Sequence, residues 1–387
     1  MNMRIGIEAR MMGAENTRGL GRYVEELVKA MANVAPDNEY VLVTRSAKHA
    51  LAGLPQVKTV VADIPWYGLE EQLKLPAILR GLKTDVVHVP HWNVPLRYSG
   101  PLVVTIHDLL LLHQPNSANA STRAWPIRLA KRLGFKMTLR HAVNSAKRIC
   151  VPTEFVKNDL LGYFPTASGK VLVTGEGVSR FVASSHARLP DGQVPTSQAP
   201  GTCDVRRATK TVLYIGSAYP HKRLDLLLEA WQAFASKHEG YELVIAGEMD
   251  AFMSRIKNQA QNMGLSRATF LGRVPDDRMA ELFAGASFFV WPSSFEGFGL
   301  SPVEALSVGC PVVSSDAQPM PEVLGKNGVV YFKSGSVDGM IRAMNEVVDN
   351  LGLYRDKAKD SIADLLARHD WAAAAKRTLA AYQQALG

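Results

Sequence analysis

Cysteine is scarce and scattered in this chain: Cys150, Cys203 and Cys310 are the only three in 387 residues. They form neither a disulfide framework nor a metal-ligand spacing. Long apolar runs are also missing. None reaches the roughly 18 residues that a bilayer span requires. The opening Met1-Asn2-Met3-Arg4-Ile5-Gly6-Ile7 has no long apolar h-region and no small-residue cleavage site. The expected location is a reducing cytoplasm, with peripheral attachment to the inner face of a membrane as an option. No Asp-x-Asp ends a strand-like run, so no divalent metal is expected. Nothing is similar to an RNA- or DNA-binding motif, so no nucleic-acid partner is expected. Acidic residues vanish from one stretch: Leu109 to Thr153 holds no Asp or Glu, but does hold Arg123, Arg128, Lys131, Arg132, Lys136 and Arg140.

What is present points to two α/β domains. The length is too great for one ordinary domain and suits two. A 47% hydrophobic and 21% charged composition is that of a globular chain, and a net charge of +8 favours an anionic partner. Short β-branched runs alternate with helical periodicity throughout. Strands are predicted over 4–9, 40–44, 57–62, 86–89, 102–106, 148–152 and 171–174, then over 211–215, 242–246, 269–271, 287–291 and 311–314. Helices are predicted over 21–32, 69–82, 122–144 and 154–163, then over 224–236, 249–263, 277–283, 302–307 and 337–349. This alternation predicts two Rossmann-like, doubly wound parallel sheets. Residues 184–209, rich in Ser, Pro and Gly, read as a linker between a domain over 1–183 and one over 210–369. Residues 370–387 read as a terminal amphipathic helix. Ligands are expected at the carboxyl ends of the strands, in a cleft between facing domains.

In Phe298-Gly299-Leu300-Ser301-Pro302-Val303-Glu304 a strand gives way to a helix. Ser301 is placed to be the N-cap, Pro302 the first helical residue and Glu304 the far end of a capping box. Gly297 and Gly299 let a ligand approach the backbone, and the helix start offers N–H groups to a phosphate or a sugar hydroxyl. On local physics alone, the plain alternatives are that Glu304 is only a capping-box residue and Glu296 only a solvated loop acid.

Beyond local physics, Glu296-Gly297-Phe298-Gly299-Leu300-Ser301-Pro302-Val303-Glu304-Ala305-Leu306 with Gly309-Cys310-Pro311-Val312-Val313 resembles the Glu-x7-Glu motif of the retaining family 4 glycosyltransferases, which have the two-domain GT-B fold. Val212 to Ser217 with Pro220-His221-Lys222-Arg223 is similar to the family's phosphate-contacting strand and loop. Phe270-Leu271-Gly272-Arg273-Val274 resembles its nucleobase-side strand, and His369-Asp370-Trp371 its terminal element, where the chain crosses back to the first domain. The resemblance implies that Glu296 binds donor-sugar hydroxyls and Glu304 the ribose. It implies that the N–H groups of Phe298, Gly299 and Leu300 hold sugar and diphosphate, and that Lys222 neutralises the leaving diphosphate. Many members carry Arg where this chain has Ser217, which leaves Arg223 or His221 for the second phosphate contact. For Lys222 the plain alternative is a surface lysine at a helix start.

In the first domain, Thr17-Arg18-Gly19-Leu20-Gly21-Arg22-Tyr23 resembles the family's glycine-rich loop at the mouth of the cleft, with Gly19 and Gly21 permitting close approach. A tight turn is the plain alternative. His107, in Thr105-Ile106-His107-Asp108-Leu109, matches a family histidine that contacts the donor sugar; otherwise it is a satisfied strand-end histidine. Asp108 reads as a cap. His88 and His91 are candidates to line an acceptor pocket. Thr153 and Glu154 read as a helix cap. The basic stretch over 121–148 reads either as a docking surface for anionic lipid head groups or as a solvated helix with one apolar face.

The resemblance thus implies metal-independent transfer with retention. No carboxylate nucleophile is evident behind the sugar, so a front-face route is expected, the leaving phosphate helping to deprotonate the acceptor. The loops look most like those of bacterial mannosyltransferases that use GDP-mannose, with a glycan or polyprenyl-linked acceptor, in surface-polysaccharide assembly. Rhamnosyl and glucosyl transfer from dTDP- or UDP-sugars, a GT-B epimerase or phosphorylase, and a non-catalytic sugar-nucleotide module are the alternatives.

Overall fold

The computed structural model describes residues 2–13, 19–114, 125–178 and 210–387. The expected linker over 184–209 and Cys203 lie outside them. Two compact units emerge, one of Met1–Gly177 with His369–Gly387, the other of Val178–Arg368.

The first unit is built on seven strands: β1 (Arg4–Glu8), β2 (Glu39–Thr44), β3 (Val57–Val61), β4 (Val86–Val89), β5 (Leu102–Thr105), β6 (Arg148–Val151) and β7 (Val171–Val173). All pairings are parallel, in the order β3-β2-β1-β4-β5-β6-β7. The strand order turns back between β1 and β4, and a crevice at such a switch point is where doubly wound sheets bind ligands. Side chains alternate across the sheet. Tyr40 and Leu42 of β2 enter the core on one face, and Val41 and Val43 the core on the other. Burial on both faces is why these strands read as continuous apolar runs.

One of those cores is closed by two helices, α1 (Gly19–Val34) and the terminal helix Trp371–Leu386. The terminal helix buries Trp371, Ala375, Thr378 and Tyr382 at helical spacing. It starts cleanly because the Asp370 carboxylate accepts the N–H groups of Ala372 and Ala373.

The second unit carries β8 (Lys210–Ile215), β9 (Tyr241–Ala246), β10 (Ala268–Gly272), β11 (Phe288–Trp291), β12 (Val312–Ser315) and β13 (Val329–Phe332), all parallel, in the order β10-β9-β8-β11-β12-β13. Its switch point lies between β8 and β11. Among the elements here that the sequence pattern does not predict are the short helix Met320–Leu324, β13 and the helix Leu351–Arg368. β13 is Val329-Val330-Tyr331-Phe332, as apolar and β-branched as the strands that are predicted. The helix Leu351–Arg368 buries just Ala358, Ser361 and Leu365, too few to mark an apolar face. It packs close all the same: a Cβ on Gly328 would stand 2.5 Å from Cα of Ala358.

Candidate active site

In the second unit, the loop after β8 is shaped from beneath. The buried Tyr214 hydroxyl donates to the carbonyl of Ser217 at 2.7 Å, and burial pushes the Tyr214 phenol well above its ordinary pKa, which keeps it a neutral donor. Gly216 is required there, since a Cβ would lie 2.9 Å from the Tyr214 hydroxyl. The chain then makes one 3₁₀ turn, Pro220–Lys222. The carbonyl of His221 accepts the Ser294 N–H at 2.7 Å and the hydroxyls of Ser293 and Ser294. These bonds tie the β8 loop to the β11 loop across the switch point.

The tie brings together two residues that the sequence keeps far apart. Lys222 Nζ donates to Glu296 Oε1 at 2.6 Å, with both side chains nearly buried. The ammonium also lies 4.5 Å from the ring centroid of Trp291, which adds a cation–π contact. Trp291 is stacked on Tyr214 with centroids 5.5 Å apart, so the aromatic floor under Lys222 is continuous with the residue that shapes its loop. His221 is not a second cation: burial, and then the charge of Lys222, push its imidazole down to about 4. Arg223 adopts the left-handed conformation, with φ of 51°, and pairs with Asp225 at 3.3 Å.

The capping box is not formed. The helix Leu300–Ser307 begins two residues earlier than expected, with Gly299 as N-cap at φ of 89° and no side-chain cap. Ser301 and Pro302 therefore lie inside the first turn, and Glu304 lies beyond it, buried to 1% exposure. A left-handed entrance that glycine alone tolerates well replaces the serine cap. Phe298 is buried, and Gly299 and Leu300 are half-buried, at the end of the helix where N–H groups lack intrahelical partners. Ser217 is half-buried after β8. Val274 is half-buried after the edge strand β10, at the same end of the sheet but two strands from β8.

In the first unit, Gly19 and Gly21 are not in a loop: both belong to the first turn of α1. Residues 14–18 lie outside the described residues. His107 follows β5. Its Nδ1 is 2.9 Å from Glu176 Oε1, its Nε2 is 3.2 Å from the carbonyl oxygen of Pro90, and the Tyr23 ring meets it edge-on at 4.5 Å. Asp108 accepts the Leu110 N–H, and Thr153 that of Val156, as caps. His88 does not line a pocket. It is fully buried, 2.7 Å from the Tyr382 hydroxyl and 2.8 Å from Thr105 Oγ1. Burial, and then the charge of His107, push it down to about 3. His91 is half-buried, with Tyr67 and Trp92 around it.

The sequence reading did not single out Trp291, Tyr214, Ser293 or Glu176. Glu176 had a signal: an acid between two glycines just past a strand end. The others had none, since aromatic strand residues and loop serines are ordinary.

Comparison with known proteins agrees with this geometry. Residues 17–180 match the model for Glycosyltransferase Family 4, and residues 205–362 that for Glycosyl transferases group 1. The chain is 28% identical over 335 residues to O-antigen chain mannosyltransferase B of Escherichia coli, covering 81% of this chain and 82% of that one. It is 26% identical to the GDP-mannose:cellobiosyl-diphosphopolyprenol alpha-mannosyltransferase of Komagataeibacter xylinus, covering 84% and 78%. Among solved structures, sucrose-phosphate synthase from Thermosynechococcus elongatus superposes with a TM-score of 0.76 at 18% identity, over 99% of each chain. The two doubly wound parallel sheets have the GT-B architecture, and the chain belongs to the group 1, family 4 glycosyltransferases.

Proposed function

We propose that this glycosyltransferase moves mannose from GDP-mannose, with retention and without a metal ion, to a glycan or polyprenyl-linked acceptor in surface-polysaccharide assembly. The pairing of Lys222 with Glu296 carries the reading. A glycosyl donor leaves as an anionic nucleotide, and fixed positive charge where that anion forms lowers the barrier. Lys222 and the N–H groups of Phe298, Gly299 and Leu300 supply that charge in place of a metal. Glu296, held by Lys222, accepts from sugar hydroxyls, and Glu304 from the ribose. His107 contacts the sugar. Val274 lies on the base side, Ser217 and Arg223 on the phosphate side, and Gly19 and Gly21 open α1 towards the donor. The leaving phosphate takes the acceptor proton on the front face; trapping a covalent glycosyl-enzyme during turnover would overturn that route. Mannose is supported by the activities of both relatives, and GDP-mannose and the polyprenyl-linked acceptor by that of the Komagataeibacter xylinus enzyme.

The same reading seats the helix Trp125–Ser145 on an anionic membrane surface. Leu129, Leu133 and Met137, one turn apart, are 47%, 54% and 60% exposed. Arg132, Lys136 and Arg140 form an exposed basic row beside them. Single exposed leucines are ordinary; an apolar row flanked by a basic row is what an interfacial helix presents to lipid. Among the described residues, no helix is long and apolar enough to cross a membrane.

The deciding experiment is binding and turnover against GDP-, UDP- and dTDP-sugars with and without EDTA. Transfer from GDP-mannose that survives chelation is expected. Preference for a UDP- or dTDP-sugar, loss of turnover with EDTA, or epimerisation without acceptor would overturn the reading.

A further inference from the structure

The Glu176 carboxylate is buried to 6% exposure and faces Nδ1 of His107, itself 16% exposed. Burying an acid is costly unless it is paired, and an apolar side chain would fill the space more cheaply. The backbone around it is built to hold it there. Gly175 has φ of +74°, and a Cβ on it would lie 2.8 Å from Nη2 of Arg377. A Cβ on Gly177 would lie 2.5 Å from the ring of Trp371. Arg377 Nε donates to the carbonyl of Thr174 at 2.8 Å. The terminal helix therefore grips residues 174–177 from both sides, and only glycine fits beside Glu176 on either flank.

His107 is held as tightly. One ring nitrogen faces a carboxylate, the other the Pro90 carbonyl, and Tyr23 closes one side of the ring. Both partners are acceptors. A ring with a partner at each nitrogen is fixed in orientation by both. Tyr23 is tied through Thr105 and His88 to Tyr382 of the terminal helix. The two arms of the terminal helix, one at Trp371 and Arg377 and the other at Tyr382, thus converge on His107.

We propose that Glu176 is a positioning residue for His107, whose ring it holds in one orientation, and that the terminal helix holds Glu176 in place. The consequence for catalysis rests on the proposed contact of His107 with the donor sugar. A ring already held in the orientation of that contact need not be ordered as the donor departs.

The test uses Glu176→Gln, which keeps the shape and removes the charge, and Glu176→Asp, which keeps the charge and shortens the reach. Three readouts are needed on the full-length protein: ¹⁵N NMR of selectively labelled histidines with His107 assigned by His107→Gln, transfer kinetics from pH 5 to 9, and thermal melting. In Glu176→Gln we expect a changed His107 ring signature and kcat lowered about 10- to 100-fold with donor KM little changed. Melting should stay close to wild type, and Glu176→Asp should recover part of the activity. An unchanged His107 signature in Glu176→Gln overturns the positioning role, as does a loss of kcat that only tracks the loss of folded protein. A changed signature with undiminished transfer in both Glu176→Gln and His107→Gln leaves the pairing standing and overturns the contact of His107 with the donor.

Discussion

Lys222 and Glu296 lie 74 residues apart in the chain and 2.6 Å apart in the fold, joined over the indole of Trp291. Two roles inferred separately, phosphate neutralisation and sugar binding, thus share one ion pair. Lys222→Met retains an apolar stem over Trp291 and removes the charge. We expect it to lower kcat about 10²- to 10³-fold, the range for losing one preorganised charge partner in a transition state. Lys222→Arg should recover little, because a planar guanidinium does not replace a point charge at a crowded site. Steady-state kinetics on both variants would check this, and a kcat for Lys222→Met within tenfold of wild type would rule out the role.

Stability should fall on mild acidification. His88 and His221 are pushed down to about 3 and about 4 respectively, both chiefly by burial. The folded protein keeps both rings neutral, whereas the unfolded chain protonates them below about 6.5. Their contribution is complete above that pH and is lost as the pH falls towards 4, at roughly 1 kcal/mol per pH unit for each ring. Urea denaturation at pH 7 and pH 5 measures it. His88→Gln, which can still bond Tyr382 and Thr105, should flatten the decline; an unaltered slope would show that His88 plays no part.

Gly328 should tolerate no side chain. Its φ is +74°, and a Cβ would meet the Ala358 backbone at 2.5 Å. A left-handed alanine costs about 1–2 kcal/mol before any clash, and backbone cannot rotate away as a side chain can. Gly328→Ala is expected to cost at least that much in chemical denaturation. Gly264→Ala is the control: it shares the positive φ but has open space around it, so it should cost the backbone strain alone. Equal losses in the two variants would mean that the helix Leu351–Arg368 yields at Gly328.

Vesicle binding should depend on both rows of the helix Trp125–Ser145. Leu133→Ser with Met137→Ser removes exposed apolar area, and Lys136→Glu with Arg140→Glu reverses charge. Each basic residue near an anionic surface contributes about 1 kcal/mol. We expect both pairs to weaken sedimentation with phosphatidylglycerol vesicles, the charge pair more so at low salt. Binding that survives both pairs would place the membrane contact elsewhere.

The strand–helix alternation was legible because buried parallel strands need β-branched apolar runs, and twelve of the described strands were read from them. The Glu-x7-Glu stretch was legible as a motif because its chemistry is local: glycines, a helix start and two acids within one turn and a helix. Its start was misread, since Ser301 and Pro302 satisfy the rules for a cap and only the fold shows Gly299 taking that place. β13 was passed over although Val329-Val330-Tyr331-Phe332 is such a run, and the helix Leu351–Arg368 because few of its residues are fully buried. The pairing of Lys222 with Glu296, the burial of His88 and the grip of Trp371 and Arg377 on Glu176 were beyond any sequence pattern. Each depends on which strands become neighbours and which helix lies over them, and sequence spacing carries no information about distances closed by a sheet.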